Sequence, residues 1–539
     1  MEFPLGVQAK LVFLGCLLLA ATCVAFAGRD GDARPNVIFL ITDDQQRHTF
    51  NFLPEGKGKN LTPAIDRLVA EGTVMMGQHV ASPVCTPSRF TSLTGRYASR
   101  ARNHSFLHGI KQADGQSVVG WNSHVIPGEK TVAHFLRDVG YATGFVGKNH
   151  VVEVPDFDKI SYRADAEDPA VVARLQANST RVKAALRSAG FDYAASVYHN
   201  NPSGNGPKKL AVHNMDWVAK GALDFIDKSH AKPFFLYFAT TMPHGPMERL
   251  RSWDADPRAT AEGMLEEPLQ VLPPRASIPT RLKAAGLPLD SHRPIMLAID
   301  DAVAALRSRL EKHAIDDNTV IIYFNDHGQR AKGTLYRGGT EDPSVIWRKT
   351  GFPCGKQHDA LVSNIDFAPT ILDLAGVPAP RNLFDGKSML PLLKGEAKKL
   401  RDSLYFEMGY TRAVRIGDWK LLALHYPDAA TSMSLEKRKQ VLDRYNAKQR
   451  ALDKPTFTED PSSRFSHVSL IPGGGGAEHA SYGKYAAYYD SLQLYNLADD
   501  PTEQHNLASN PERSGKLKQL QAELKRYLDD LPGEFPLDD

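Results

Sequence analysis

The chain holds 539 residues, 42% of them hydrophobic, 24% charged and 9% aromatic, with four cysteines. That composition excludes intrinsic disorder, a collagen-like repeat and a disulfide-dense mini-scaffold, and the length accommodates roughly two to four domains with sizeable cores. The 65 basic and 62 acidic side chains leave a net charge of +3, too small an excess to neutralise a phosphate backbone, so nucleic acid is not an expected partner.

Residues 11–26 carry no charge and lead into Ala25-Phe26-Ala27. A run this short, closed by small residues at A-x-A spacing, predicts a cleaved secretory signal over residues 1–27, since a spanning helix takes about 20 apolar residues. Export is therefore expected, to a periplasmic or extracellular space first and a lysosome second, with no stable membrane insertion. Cys16 and Cys23 fall in that segment, which leaves Cys85 and Cys354. Either these two pair, or Cys85 has another task. The Asn-x-Ser/Thr triplets at Asn60, Asn103 and Asn178 are about as many as chance supplies and decide nothing about the host.

Residues 36–42 (NVIFLIT) form a continuous apolar run of strand length that stops at Asp43-Asp44, the pattern of a strand buried on both faces. Thr62-Pro63 opens a helix with Ile65, Leu68 and Val69 on one face and Gly72 past its end. Strand-like runs follow at 142–146, 233–239 and 319–324, the last preceded by a helix in which Ile299, Val303, Leu306 and Leu310 keep helical spacing. This alternation predicts an α/β fold, a large and mostly parallel sheet flanked by helices. Residues 266–294 are proline-rich and read as an irregular excursion. Beyond about residue 395 the pattern changes: 413–422 and 492–497 read as strands of an antiparallel set. A polar insert near 429–487, with a charged helix at 435–451 and four glycines at 473–476, separates them, and 517–528 reads as a closing amphipathic helix. The expected organisation is an α/β catalytic domain over 28–395 and a smaller α+β domain over 396–539.

In open α/β sheets ligands bind beyond the carboxyl ends of the strands. Four of the apolar runs are followed there by polar clusters: Asp43-Asp44, Gly147-Lys148-Asn149-His150, Pro243-His244 and Asn325-Asp326-His327-Gly328. Singly, each reads as a cap, a turn or a solvated charge; four such strand ends are a poor match to coincidence. Three carboxylates converging from different strands repel one another unless a cation sits among them, which points to a hard divalent metal held largely by oxygen. A fifth cluster, Cys85-Thr86-Pro87-Ser88-Arg89 followed by Leu93-Thr94-Gly95-Arg96, opens a helix with Thr86 as expected N-cap. Cys85 then sits at the positive helix end, where an anion is favoured. A buried structural cysteine is the plain alternative.

Cys85-x-Pro87-x-Arg89 with its Leu-Thr-Gly-Arg continuation resembles the signature of type I sulfatases, formylglycine-dependent members of the alkaline phosphatase superfamily. Asp43-Asp44 is similar to that family's first metal pair and Asp326-His327-Gly328 to its second. Gly147-Lys148-x-His150, Pro243-His244-x-Pro246 and Lys332-Gly333-x-x-Tyr336-x-Gly338-Gly339 match further family motifs, and the tail Leu494-Tyr495-Asn496-Leu497 with Asp500-Pro501-x-Glu503 resembles its C-terminal end. The resemblance spans about residues 36–507. It implies an alkaline phosphatase-like fold and a Cys85 oxidised to formylglycine by a formylglycine-generating enzyme. It further implies one divalent cation, Ca2+ in the first place, on Asp43, Asp44, residue 85, Asp326 and His327. In the implied mechanism Arg89 holds the hydrated aldehyde, Lys148 and Lys332 neutralise the sulfuryl oxygens, His244 protonates the departing alcohol, and His150 helps deprotonate the hydroxyl that expels sulfate.

Two positions depart from the family pattern. His327 stands where many members carry asparagine, and an imidazole is a poorer calcium ligand than an amide oxygen. Arg337 replaces the usual glutamate of Tyr-x-Gly-Gly. The implied substrate is a sulfated small molecule or carbohydrate. A phosphonate monoester hydrolase or phosphodiesterase, an N-sulfoglucosamine sulfamidase and a non-catalytic carbohydrate-binding relative are the alternatives. His104, His108, Trp121 and the 266–294 excursion are candidate pocket walls. If Cys85 is modified, Cys354 is expected to stand unpaired.

Overall fold

A computed structural model describes residues 34–245, 253–380, 382–451, 456, 458–463 and 483–537. The expected signal segment, Pro246 and the four-glycine run lie outside them. Twelve strands carry the architecture: β1 (Asn36–Asp43), β2 (Thr73–Met75), β3 (Ala142–Lys148), β4 (Tyr193–Tyr198), β5 (Phe234–Pro243), β6 (Thr319–Asn325), β7 (Ser344–Arg348), β8 (Lys356–His358), β9 (Ser403–Met408), β10 (Thr411–Ile416), β11 (Trp419–Leu424) and β12 (Leu492–Asn496). The first eight form one sheet in the order β8-β2-β7-β6-β1-β5-β3-β4. Its central run β6-β1-β5-β3-β4 is parallel throughout, while β7 runs antiparallel to both β6 and β2. The carboxyl ends of five strands therefore open on one edge of the sheet.

The pleat explains why β1 reads as an unbroken apolar run. Val37, Phe39 and Ile41 enter one buried cluster with Phe90, Leu136, Leu186 and Ile371. Ile38 and Leu40 enter another with Leu68, Val218, Ile299 and Leu306. Period-two alternation sends neighbours to opposite faces, and helices cover both. Among those helices are α1 (Pro63–Glu71), α2 (Cys85–Thr94), α3 (Met215–Ser229) and α4 (Arg293–Lys312). Thr62 precedes α1 as expected, yet its hydroxyl bonds Asp66 Oδ1 at 3.2 Å. The cap comes from α4, whose Asp300 accepts the N–H of Ala64 (3.2 Å) and Ile65 (2.8 Å).

The second sheet, β9-β10-β11-β12, is antiparallel. The single strand expected at 413–422 is in fact two, turning at Gly417-Asp418 with Ile416 opposite Trp419. Gly417 adopts φ +57°, the conformation a two-residue hairpin turn needs, and apolar residues on both sides disguised the break. The closing helix, α5 (Ser514–Asp530), buries Leu520 and Leu524 against this sheet. On the other face Leu404, Phe406 and Leu422 pack with Val84, Ala331, Leu335 and Tyr336, so the small sheet braces two segments of the large one's open edge. The three Asn-x-Ser/Thr asparagines are buried, and their amides bond the carbonyls of His48, Asn122 and Asp158. They are structural residues. No helix among the described residues is long and apolar enough to cross a membrane.

Candidate active site

Helix α2 begins at Cys85 itself, with Val84 as N-cap, two residues earlier than the Thr86-Pro87 pattern predicts. All ten residues of α2 are buried. Asn364 pins the helix, donating to Ser88 O (3.1 Å) and Thr91 Oγ1 (2.6 Å) while accepting the Ala81 N–H (3.0 Å). Cys85 is a free buried thiol among the described residues, so the alternative pairing with Cys354 does not form. Cys354 is nevertheless disulfide-bonded, which corrects the expectation that it stands unpaired.

Around the Cys85 sulfur the strand ends converge. Asp43 closes β1, and Asp44 leaves the strand at φ +62°, so both carboxylates reach the same site although adjacent residues of a strand face opposite ways. Cys85 Sγ lies 3.6 Å from Asp43 Oδ1 and 3.6 Å from His327 Nε2, with Lys332 Nζ at 3.8 Å. Lys148, at the end of β3, bonds Asp43 Oδ2 at 2.5 Å. Gly147 before it has φ +91°, and a Cβ there would stand 1.7 Å from Ala239 O. Only glycine lets β3 lie this close to β5. Arg89 Nη2 bonds Asp326 Oδ2 at 3.1 Å and stands 3.6 Å from Asp43 Oδ1. Lys332 Nζ holds Asp44 at 2.6 and 2.8 Å, and the Asp44 N–H donates to Asp326 Oδ1 at 3.1 Å.

The donor set fits a divalent cation. One ligand atom each from Asp44, Cys85 and His327 lie within 4.8 Å of one another, as do those of Asp43, Cys85 and Asp326; carboxylates with one imidazole suit a hard or borderline dication. Burial opposes ionisation of Asp43, but Lys148, His244 and Arg89 outweigh it and hold the carboxyl well below its usual range. Burial likewise opposes ionisation of Asp44, and Lys332 foremost reverses it. Burial opposes protonation of His327, whereas Asp326 and the 3.1 Å contact with Asp44 raise it well above the histidine value. A cation on His327 displaces that proton, so binding there releases one. Asp43, Asp44 and Asp326 balance Arg89, Lys148 and Lys332, so a bound dication leaves the bowl net positive and attractive to an anion.

His244 follows β5. Its Nε2 is 3.3 Å from Asp44 Oδ2, and its Nδ1 is 2.8 Å from Gly245 O. His150, at φ +48°, is driven toward the neutral form by burial, then by Lys148 and Arg89, and its buried Nδ1 has no hydrogen-bond partner. Arg337 does not join the bowl. Its guanidinium engages Glu341, and its N–H donates to Glu503 Oε2 at 2.5 Å. His104 and His108 are exposed on the helix His104–Gln112, their rings 6.1 Å apart. Trp121 packs in the cluster of Val84 and Tyr336, and the excursion's Arg275 turns to Asn214 and Asp216.

One further strand end contributes. β4, with its small residues Ala194, Ala195 and Ser196, is followed by His199-Asn200-Asn201, and Asn201 Nδ2 lies 3.1 Å from His244 Nε2. A fifth polar cluster after a short run was the available signal, masked by the low hydrophobicity of the strand.

A model of the sulfatase family matches residues 35–377. N-acetylgalactosamine-6-sulfatase of Canis lupus familiaris is 25% identical over 429 residues, 75% of this chain and 74% of its own length. N-acetylglucosamine-6-sulfatase of Homo sapiens is 28% identical over 400 residues, 70% and 68% respectively. Among solved structures, a 6S-sulfatase of Bacteroides thetaiotaomicron superposes with a TM-score of 0.57 at 19% identity, covering 92% of this chain and 99% of that one. The phosphonate monoester hydrolase of Agrobacterium radiobacter does so at 0.56 and 16%, covering 93% and 97%. These two share the fold, and the fold alone would leave sulfur and phosphorus chemistry undivided. The family match over most of the chain, together with the curated sulfatase relatives, gives the assignment: this chain belongs to the sulfatase family and is a sulfuric ester hydrolase on an alkaline phosphatase-like fold.

Proposed function

We propose that the chain is an exported sulfatase hydrolysing a sulfate ester of a carbohydrate, with residue 85 matured to formylglycine by a formylglycine-generating enzyme and one divalent cation, Ca2+ in the first place. The observation that carries this reading is the convergence of three carboxylates and three cationic side chains on the buried sulfur of Cys85. The curated relatives act, by their names, on N-acetylhexosamine 6-sulfates, which supports a sugar substrate. The charge-free run at residues 11–26 supports export, and the two sheets support a division into units at 28–395 and 396–539.

As hydrated formylglycine, residue 85 would supply one hydroxyl to attack sulfur as the bond to the alcohol oxygen breaks, and a second whose deprotonation would re-form the aldehyde as the carbon–oxygen bond to sulfate breaks. Asp43, Asp44, Asp326 and His327, with the residue-85 oxygen, would hold the cation, which supplies Lewis acidity. Arg89, anchored on Asp326, orients residue 85. Lys148, held on Asp43, and Lys332, held on Asp44, offset charge growing on the sulfuryl oxygens. His244, turned by Asp44 and Gly245, is the residue that would give a proton to the leaving oxygen, and neutral His150 takes the proton of the second hydroxyl.

Two measurements test the proposal. The intact mass of the peptide containing residue 85, from protein made with a formylglycine-generating system, should show the aldehyde; fully active protein with unmodified cysteine overturns the mechanism. Turnover of matched aryl sulfate, sulfamate, phosphonate and phosphodiester substrates should favour the sulfate ester. A better phosphonate or sulfamate would reassign the substrate.

A further inference from the structure

His244 stands where the sheet's hydrogen-bond ladder stops. β5 pairs with β1 up to Pro243, opposite Asp43, and His244 is the first residue past that pairing, so its carbonyl needs a partner of another kind. A side chain supplies it. Nε2 of His213 lies 2.8 Å from His244 O, and Nδ1 of the same ring lies 2.8 Å from Thr241 Oγ1. Both side chains are buried. A carbonyl oxygen only accepts, so His213 carries its proton on Nε2, and in the neutral ring Nδ1 accepts the Thr241 hydroxyl. One imidazole therefore bridges residues 241 and 244 at the end of β5, with both of its nitrogens occupied.

The mount of that ring is built from three elements. Tyr198, the last residue of β4, donates its hydroxyl to Val212 O at 3.2 Å and accepts the Asn214 N–H at 3.1 Å, which fixes the backbone on both flanks of His213. Asn214 caps α3 by accepting the Trp217 N–H at 3.1 Å, and its amide donates to Pro257 O (2.8 Å) and Ala259 O (3.0 Å). Arg275 of the excursion completes the arrangement, with Nη2 2.8 Å from Asn214 Oδ1. The ring of His244 is itself set by two contacts, Nδ1 to Gly245 O at 2.8 Å and Nε2 to Asp44 Oδ2 at 3.3 Å. Those contacts turn the ring; the bond from His213 fixes the backbone that carries it. A proton donor must meet the leaving oxygen closely, and a shift of about 1 Å costs on the order of 100-fold in rate.

We propose that His213 is a positioning residue for His244, with Thr241 orienting its ring, so that proton delivery to the departing alcohol depends on a buried side chain that takes no part in the transfer itself. The inference rests on the sulfatase reading above and on His244 as the acid. It adds the residue that sets where the acid stands.

The test compares kcat and KM of formylglycine-bearing enzyme on sulfate esters whose leaving alcohols and phenols are graded in acidity. His213→Leu should lower kcat on the poorest leaving groups about 10–100-fold more than on the most acidic phenol, with KM changed less than about threefold. In a His244→Ala background the same substitution should add less than about threefold, since an acid already removed cannot be misplaced. His213→Gln, whose side-chain amide can donate to His244 O in place of Nε2, should recover most of the loss. Thr241→Val removes one hydroxyl at nearly equal volume and should give a smaller loss of the same kind; it carries the test if His213→Leu does not fold. Losses equal on all esters, losses that multiply in full with His244→Ala, or a glutamine variant no better than leucine overturn the positioning role. If phosphonate or phosphodiester substrates prove better than every sulfate, the sulfatase reading falls, and the same graded series made in those esters judges His213 by the same criteria.

Discussion

Asp300 offers a prediction in which sign and size both follow from structure. Its carboxyl is buried at 2% exposure between α4 and the first turn of α1, accepting two backbone N–H groups, with Asp301 and Asp66 nearby. Burial dominates and raises its pKa from 3.8 to about 7. The folded state therefore binds this proton more tightly than the unfolded chain, and the stability so gained is complete below the unfolded value and lost as pH rises through the folded one. The full displacement corresponds to at most about 4 kcal/mol. Asp300→Asn removes the titration. It keeps one acceptor for the Ile65 N–H but turns an amide N–H2 toward Ala64, at a cost of about 1–2 kcal/mol. Near pH 8 the variant should be about 2 kcal/mol more stable than wild type, and below about pH 5 less stable. Urea denaturation of both proteins across that range measures the difference, in which every other titrating group cancels. A variant whose stability runs parallel to wild type at all pH values would refute the reasoning.

Three further outcomes are expected. Exhaustive removal of divalent ions should lower turnover at least about 100-fold, the several kcal/mol that a Lewis acid supplies, and readdition of Ca2+ should restore it; unchanged turnover would count against the carboxylate cluster. His244→Ala should slow esters of poor leaving alcohols about 100-fold more than esters of acidic phenols, seen as a steeper dependence of rate on leaving-group pKa. Lys420 and Glu503, both about 1% exposed and 2.8 Å apart, form a buried pair beside the Arg337 N–H that Glu503 also accepts. Lys420→Met should cost about 3–5 kcal/mol by stranding a buried carboxylate, and Lys420→Met with Glu503→Gln should recover part of it, both read from denaturation midpoints.

Much of the fold was legible because β1, β3, β5 and β6 are buried on both faces and so spell continuous apolar runs, each ending where a polar residue turns into the bowl. Of the strands not read, β4 lies at the sheet edge with small residues, while β7 and β9 are buried but short; β10 and β11, read as one strand, are halves of a hairpin whose apolar residues run together around Gly417. At the site, residue types and order were readable, but contacts made across the chain were not. The cap on α1 comes from Asp300, 236 residues away from Ala64, and Asn364 steadies α2 from 276 residues beyond Ser88. Asn201 and His199 carried no motif, since their position beside His244 and His150 follows from strand pairing alone.

The positive φ of Asp44 has a consequence for selectivity. Two of the three carboxylates share a peptide link, and the third accepts the N–H of that same Asp44. The backbones that carry the three are thus tied together by a peptide link, one left-handed residue and one hydrogen bond. A frame tied this way leaves mainly the side-chain torsions of the three aspartates to adjust to cations of different radius.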